Sequence, residues 1–127
     1  MPKRRILVAD DDPSIRRTLQ IGLGKAGYEV IEARDGEEAA RLWRENGVDL
    51  IIADIYMPNK SGLQLIMELR AHNSTIPVIA MSDGGRNKNL NPLIYSEVLG
   101  SVRTIAKPFS LEDMAAMVKE ELAKNPE

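Results

Sequence analysis

The chain contains no cysteine. That excludes disulfide scaffolds, thiolate metal sites, iron–sulfur clusters and thiol nucleophiles. It has a single histidine, His72, so one chain cannot build a multi-histidine metal site. Aromatic residues make up 4% of it, too few for a base-stacking surface. Neither sign of charge dominates: 17 basic and 19 acidic residues leave a net charge of −2. There is thus no electrostatic case for nucleic acid as a direct partner. No apolar run approaches the length that spans a bilayer. The basic start, Met1-Pro2-Lys3-Arg4-Arg5, is followed by a short apolar run that ends in three aspartates. A signal peptide needs a longer apolar stretch and a small-residue cleavage site. These absences predict a cytoplasmic protein without membrane insertion. A length of 127 residues predicts one domain, residues 1–127.

The apolar residues that are present fall into alternating patterns. Ile6-Leu7-Val8-Ala9 is a short apolar run of the kind that forms a strand buried on both faces. Asp12-Pro13 opens a helix, with Ile15, Leu19, Leu23 and Ala26 at helical spacing and Gly27 as its stop. Residues 28–33 read as a weaker, partly alternating edge strand. Asp35 and Glu38 form a capping-box pattern before Ala39, Leu42 and Trp43, and Gly47 is expected to close that helix. Leu50-Ile51-Ile52-Ala53 predicts a third strand ending at Asp54. Ser61 and Gln64 cap a helix carrying Leu65, Ile66 and Leu69. Pro77-Val78-Ile79-Ala80-Met81 predicts a fourth strand ending at Ser82. Asn91-Pro92 predicts a short fourth helix reaching Leu99, after a Gly- and Asn-rich loop over residues 83–91 expected to be mobile. Residues 102–106 predict a fifth strand, interrupted by Arg103 and Thr104. Ser110 and Asp113 open a last helix with Leu111, Met114, Ala115, Val118 and Leu122 on one face. Five strand-then-helix repeats imply an α/β fold, a doubly wound three-layer sandwich with a five-stranded parallel sheet. An eight-stranded barrel would need about twice the chain.

Ligands of such sheets bind beyond the carboxyl ends of the strands. Asp10, Asp11 and Asp12 follow the first strand, Asp54 the third, Ser82 the fourth and Lys107 the fifth. The second strand, expected at an edge, is followed by nothing of obvious chemistry. Converging carboxylates repel unless a cation sits among them. Oxygen donors without His or Cys select Mg²⁺, Ca²⁺ or Mn²⁺. A carboxylate is also a nucleophile toward a phosphoryl group, and an ammonium and a hydroxyl beside it can take phosphoryl oxygens. Asp12 is expected to serve only as the helix cap. Together, four strand ends predict a phosphate-and-metal site.

These residues, in this order, resemble the receiver domain of two-component response regulators. The segments that carry the likeness are Ile6 to Pro13, Asp49 to Pro58 with Gly62, Pro77 to Ser82, and Lys107-Pro108-Phe109. The resemblance implies a flavodoxin-like fold with strand order 2-1-3-4-5 and five helices. It makes Asp54 the phosphoacceptor. It assigns Mg²⁺, or Mn²⁺, to Asp10 and Asp11 with Asp54 and the backbone carbonyl of Tyr56. Ser82 becomes the switch hydroxyl and Lys107 the partner of a phosphoryl oxygen, aimed by a cis bond before Pro108. The phosphodonor is then a phosphohistidine on a sensor histidine kinase or a histidine phosphotransfer protein, docking near the first helix. A downstream protein target reads the surface of the fourth helix, fifth strand and last helix. The chain is a switch, monomeric or weakly dimeric, with slow autodephosphorylation rather than enzymatic turnover. Its length leaves no room for an output domain, so the alternative is a receiver fragment of a larger regulator.

Two positions depart from the family pattern. Thr104 stands where an aromatic ring usually swings inward. Asp83, followed by Gly84-Gly85, stands where a small residue usually follows the switch hydroxyl. Tyr56 is bulky and is expected to shield an acyl phosphate from water. Two other readings are weaker on the residues. An aspartate-nucleophile phosphohydrolase wants a second aspartate where Tyr56 stands. A flavin or nucleotide module wants a Gly- or hydroxyl-rich loop where the three aspartates stand. Trp43, Met114 and Met117 are expected in packing, His72 on the surface, and Lys3-Arg4-Arg5 as a solvated strand start.

Overall fold

The computed structural model describes residues 3–72, 74–82 and 102–125. The strands are β1 (Arg5–Ala9), β2 (Glu29–Ala33), β3 (Leu50–Asp54), β4 (Val78–Ser82) and β5 (Arg103–Ala106). The helices are α1 (Pro13–Lys25), α2 (Gly36–Glu45), α3 (Gly62–Ala71) and a C-terminal helix (Leu111–Ala123). The sheet is wholly parallel and ordered β2-β1-β3-β4-β5, the order implied by the resemblance. The fourth helix expected after Asn91 and the loop expected over 83–91 lie outside the described residues.

Alternation along the central strands sorts the core into two layers. Leu7, Ala9, Ile51, Ala53 and Ala80 face α2 and α3, meeting Ala39, Leu65, Ile66 and Leu69. Ile6, Val8, Leu50, Ile52, Ile79 and Met81 face the other way, onto Leu19 and Leu23 of α1 and Met114, Val118 and Leu122 of the C-terminal helix. Strands covered on both faces have no polar side to show, which is why β1 and β3 read as continuous apolar runs. Each fully buried Leu or Ile contributes roughly 1.5–3 kcal/mol by leaving water.

The helix caps follow the sequence. Asp12 accepts from the Ser14 amide at 2.8 Å, Asp35 from that of Glu38 at 2.8 Å and Ser110 from that of Asp113 at 3.0 Å. Ser61 and Gln64 make a reciprocal capping box. Gly27 takes the left-handed turn after α1, with φ 99°.

The third and fourth strands end at Asp54 and Ser82, as expected, while several other boundaries move. The strand expected from Tyr28 starts at Glu29, the one from Pro77 at Val78 and the one from Val102 at Arg103. Helix α2 ends before Gly47, because Asn46 turns extended and both its backbone and side-chain nitrogens donate to the Leu42 carbonyl, at 2.9 and 3.1 Å. The basic start is not simply solvated. Arg4 donates to the carbonyls of Leu122 and Asn125 at 3.1 and 2.8 Å, closing the end of the C-terminal helix. His72 is exposed at the C-cap of α3, and its ring lies 6.0 Å from that of Trp43. Trp43 is half-buried against the α2–α3 core layer, and Met114 is buried in the other, with Met117 at its margin.

Candidate functional site

Parallel β1 and β3 are adjacent, so their carboxyl ends deliver Asp10 and Asp54 to one place. Asp10 is fully buried and Asp54 nearly so, while Asp11 is exposed. One carboxylate oxygen from each of Asp10, Asp11 and Asp54 lies within 4.8 Å of the other two. Lys107, just past β5, reaches across the β4 end between them. Its Nζ donates to Asp10 Oδ2 at 2.8 Å and to Asp54 Oδ2 at 3.0 Å.

Backbone groups fix these side chains. Asp10 Oδ1 accepts from the Asp12 amide at 2.9 Å, and the Asp10 amide donates to the Ala33 carbonyl at 3.1 Å. Asp54 Oδ1 accepts from the Tyr56 amide at 3.3 Å. The Lys107 amide donates to the Ser82 carbonyl at 2.6 Å, which ties the lysine to the residue expected as switch. The Lys107–Pro108 peptide is cis. Gly62 lets α3 start against the end of β3: a Cβ there would stand 2.3 Å from the Asp54 carbonyl oxygen.

The electrostatics follow from burial. Desolvation pushes the Asp54 carboxyl above its ordinary value, with Asp10 adding to it, and this outweighs the Lys107 hydrogen bond. Burial also disfavours the Lys107 ammonium, but hydrogen bonds and charge from Asp10 and Asp54 reverse that, and its pKa rises. Three carboxylates against one ammonium leave an excess of negative charge. Asp11 and Tyr56 also border one concavity of about 330 Å³ with Met57 and Pro58. All-oxygen donors with excess negative charge, open on one side, fit a hard divalent cation.

Asp10, Asp11, Asp54 and Lys107, singled out from the sequence, therefore come together. Ser82 is half-buried at the end of β4, beside them in the sheet: Met81 pairs with Asp54, and Ser82 with Ala106. Thr104 is exposed on β5, as expected of a residue with no inward ring. Asp83 lies outside the described residues. Asp12 stays with its helix cap.

Two features were missed by sequence reasoning. Arg16 donates to the Asp10 carbonyl at 2.7 Å and pairs with Glu32 at 3.4 Å, bracing the acidic turn against β2. A helical arginine four residues after the cap carries no signal of that contact. A largely apolar groove of about 380 Å³, lined by Ile15, Thr18, Leu19, Pro108 and Phe109, runs from α1 to Lys107. It joins segments some 90 positions apart in the chain, and no local pattern marks it.

Comparison with known proteins agrees with this geometry. The family profile described as response regulator receiver domain matches residues 6–119. A probable transcriptional regulator, ycf27, of Porphyridium aerugineum is 37% identical over 127 residues, 98% of this chain and 50% of that protein. The transcriptional regulatory protein PrrA of Mycobacterium tuberculosis is 36% identical over 91% of this chain and 48% of its own length. The chain thus spans about half the length of these relatives. Among solved structures, the receiver domain of the Francisella response regulator 1452 superposes with a TM-score of 0.84 at 30% identity, covering 98% of this chain and 100% of that one. The response regulator TrrA of Thermotoga maritima, solved in complex with Mg²⁺ and BeF, gives a TM-score of 0.77 at 31% identity, covering 92% and 97%.

Proposed function

The chain belongs to the response regulator receiver domain family, and from that premise we propose that it is a phosphorylation-activated switch with Asp54 as the phosphoacceptor. The observation that carries this reading is the Lys107 ammonium held between Asp10 and Asp54 inside a cluster of three carboxylates.

Asp10, Asp11, Asp54 and the Tyr56 carbonyl are the groups that would hold Mg²⁺ or Mn²⁺. The ion supplies positive charge that offsets the carboxylates and the incoming phosphoryl oxygens. Asp54, in its carboxylate form, attacks the phosphorus of a phosphohistidine. The new O–P bond forms as the N–P bond breaks, and the imidazole nitrogen leaves with the electron pair and takes up a proton. Lys107 exchanges its Asp54 contact for a phosphoryl oxygen, staying anchored on Asp10. The Ser82 hydroxyl donates to another phosphoryl oxygen. The group adds roughly −1.5 to −2 charges at this end of the sheet. The Lys107 amide, just past β5, is bonded to the Ser82 carbonyl at the end of β4, so a move by one shifts the edge of the sheet that a partner reads. Water later cleaves the acyl phosphate, and Tyr56 slows this by covering the site.

The phosphodonor is a sensor histidine kinase or a phosphotransfer protein, and the groove between Ile15 and Phe109, which opens at Lys107, suits its docking. The reader is a downstream protein target, not nucleic acid, and the chain acts as a cytoplasmic monomer or weak homodimer. Among the described residues no helix is long and apolar enough to cross a membrane. A second reading follows from the relatives' length: the same switch acts as the receiver unit of a longer regulator.

Incubation with Mg²⁺ and acetyl phosphate, followed by intact mass measurement, tests the reading. One phosphoryl adduct is expected, absent in Asp54→Asn and absent when Mg²⁺ is chelated. An adduct that persists in Asp54→Asn overturns it. Steady phosphate release from many phosphoesters would indicate a phosphohydrolase instead.

A further inference from the structure

The loop between β3 and α3 carries Tyr56 and borders the concavity that Asp11 shares. Its outer part is fastened to an element that contributes nothing to the carboxylate cluster. Asn59 sits in the left-handed region, φ 69°, and its Nδ2 donates to Asp35 Oδ2 at 2.7 Å. Asp35 spends its other oxygen on the Glu38 amide, 2.8 Å away, as the cap of α2. One carboxylate thus holds a helix start and a loop tip at once. Gly36 completes the joint: a Cβ there would lie 2.0 Å from the Lys60 carbonyl oxygen. The loop backbone presses into the space its missing side chain leaves. On the far side, the Lys60 ammonium pairs with Glu68 of α3, which also takes Arg44 of α2 at 2.9 Å. Inside the loop, the Lys60 amide donates to the Pro58 carbonyl at 2.8 Å and the Gly62 amide to that of Ile55 at 2.9 Å.

A backbone carbonyl can serve as a metal ligand only if its peptide is held in place, because it has no side-chain rotamers with which to adjust. Loss of an outer partner that fixes a ligand typically lowers metal affinity about 10- to 100-fold. Asn is one of the few side-chain-bearing residues that readily takes the left-handed region, and the bond to Asp35 holds Asn59 in that turn.

We propose that Asp35 and Asn59 are positioning residues for the divalent cation: their hydrogen bond, seated by Gly36, sets the Tyr56 peptide at the acidic cluster. The inference rests on the receiver reading above, since it takes that cluster as the cation site. It brings in Asp35 and Gly36, just past β2, a strand end that supplies no carboxylate to the cluster.

Three substitutions separate positioning from support of the fold. Asp35→Ser keeps an oxygen to cap α2 but removes the one that Asn59 uses. Asn59→Gly keeps the left-handed backbone but removes the donor. Asp35→Asn keeps the cap oxygen and can offer its amide to the Asn59 carbonyl oxygen after a flip of that side chain. Calorimetric titration of the folded proteins with MgCl₂ gives the readout, beside amide exchange at residues 56–60. Asp35→Ser and Asn59→Gly should each weaken Mg²⁺ binding about tenfold and speed exchange at 56–60. The double variant should bind no more weakly than the weaker single variant, as two ends of one contact require. Asp35→Asn should restore binding toward the wild-type value. Mg²⁺ affinity within about twofold of wild type in both single variants overturns the proposal and leaves the receiver reading intact, as do additive losses in the double variant. A wild-type chain that binds no Mg²⁺ and accepts no phosphoryl group overturns the receiver reading, and the positioning role with it.

Discussion

Lys107 divides one ammonium between Asp10 at 2.8 Å and Asp54 at 3.0 Å, in the place a divalent cation would also neutralise. The lysine and the metal therefore compete for the same negative charge. Lys107→Met should bind Mg²⁺ more tightly than wild type in calorimetry, because one competitor is gone, yet yield less phosphorylated protein from acetyl phosphate. Without metal it should be less stable, by about 1–3 kcal/mol in urea unfolding, since the buried carboxylates lose their only side-chain cation partner among the described residues. Asp54→Asn should instead gain stability in the metal-free state. Burial holds the Asp54 carboxyl above its ordinary value, so its ionised form is disfavoured by the fold. A group raised in this way supports folding below its unfolded value and loses that contribution as pH rises through the folded one. At neutral pH and without Mg²⁺, Asp54→Asn should accordingly melt a few degrees above wild type by calorimetry.

The elements meet at glycines whose surroundings differ in kind. The atoms nearest a Cβ on Gly22 of α1 would all belong to the Leu111 side chain, at 2.4 to 2.9 Å. A Cβ on Gly62 would meet the Asp54 backbone at 2.3 Å. A side chain can turn aside and a strand carbonyl cannot. Gly22→Ala should therefore change stability by less than about 1 kcal/mol, the lost packing offset by helix propensity. Gly62→Ala should cost about 2 kcal/mol or more and lower the phosphorylation yield, because it displaces the end of β3. Urea unfolding and acetyl phosphate labelling check both. A helix cap and an ion pair on α3 also set the acid limb of stability. The Glu38 amide first, and Asn59 second, hold Asp35 below its ordinary value. The Lys60 hydrogen bond does the same for Glu68. Each contributes stability that is present above its unfolded value and is lost as pH falls through the folded one. Urea midpoints should drop as pH falls below about 4, and Asp35→Ser should flatten part of that drop.

For the molecule as a whole, a ligand that binds the folded chain and not the unfolded one raises its melting temperature with the logarithm of concentration. Mg²⁺ should do this for wild type, and chelation should reverse it. Asp11→Ala, which removes the exposed member of the cluster, should abolish most of the effect without altering melting in the metal-free state. Much of the architecture behind this was legible in order of residues. Continuous apolar runs such as Leu50 to Ala53 mark strands covered on both faces, and Asp12, Asp35, Ser61 and Ser110 mark helix starts because capping is a local contact. The strand ends carried the site for the same reason, since a parallel sheet gathers its carboxyl ends at one edge. Boundaries were less legible: Asn46 competed with Gly47 to end α2 through a side-chain bond that composition does not reveal.

The sequence by itself determined the five strands, the alternation that covers the sheet on both faces, and the identity of the groups at its carboxyl edge. Those follow from near-neighbour patterns and from what residue types can do. Only the tertiary structure decided how those groups share charge: that one lysine spans two carboxylates, that Arg16 and Arg4 close contacts across the chain, and that Asp35 reaches the loop of Asn59. Such contacts join residues from 6 to 121 positions apart. They exist only after the backbone has folded, because a hydrogen bond is set by distance in space and not by separation along the chain.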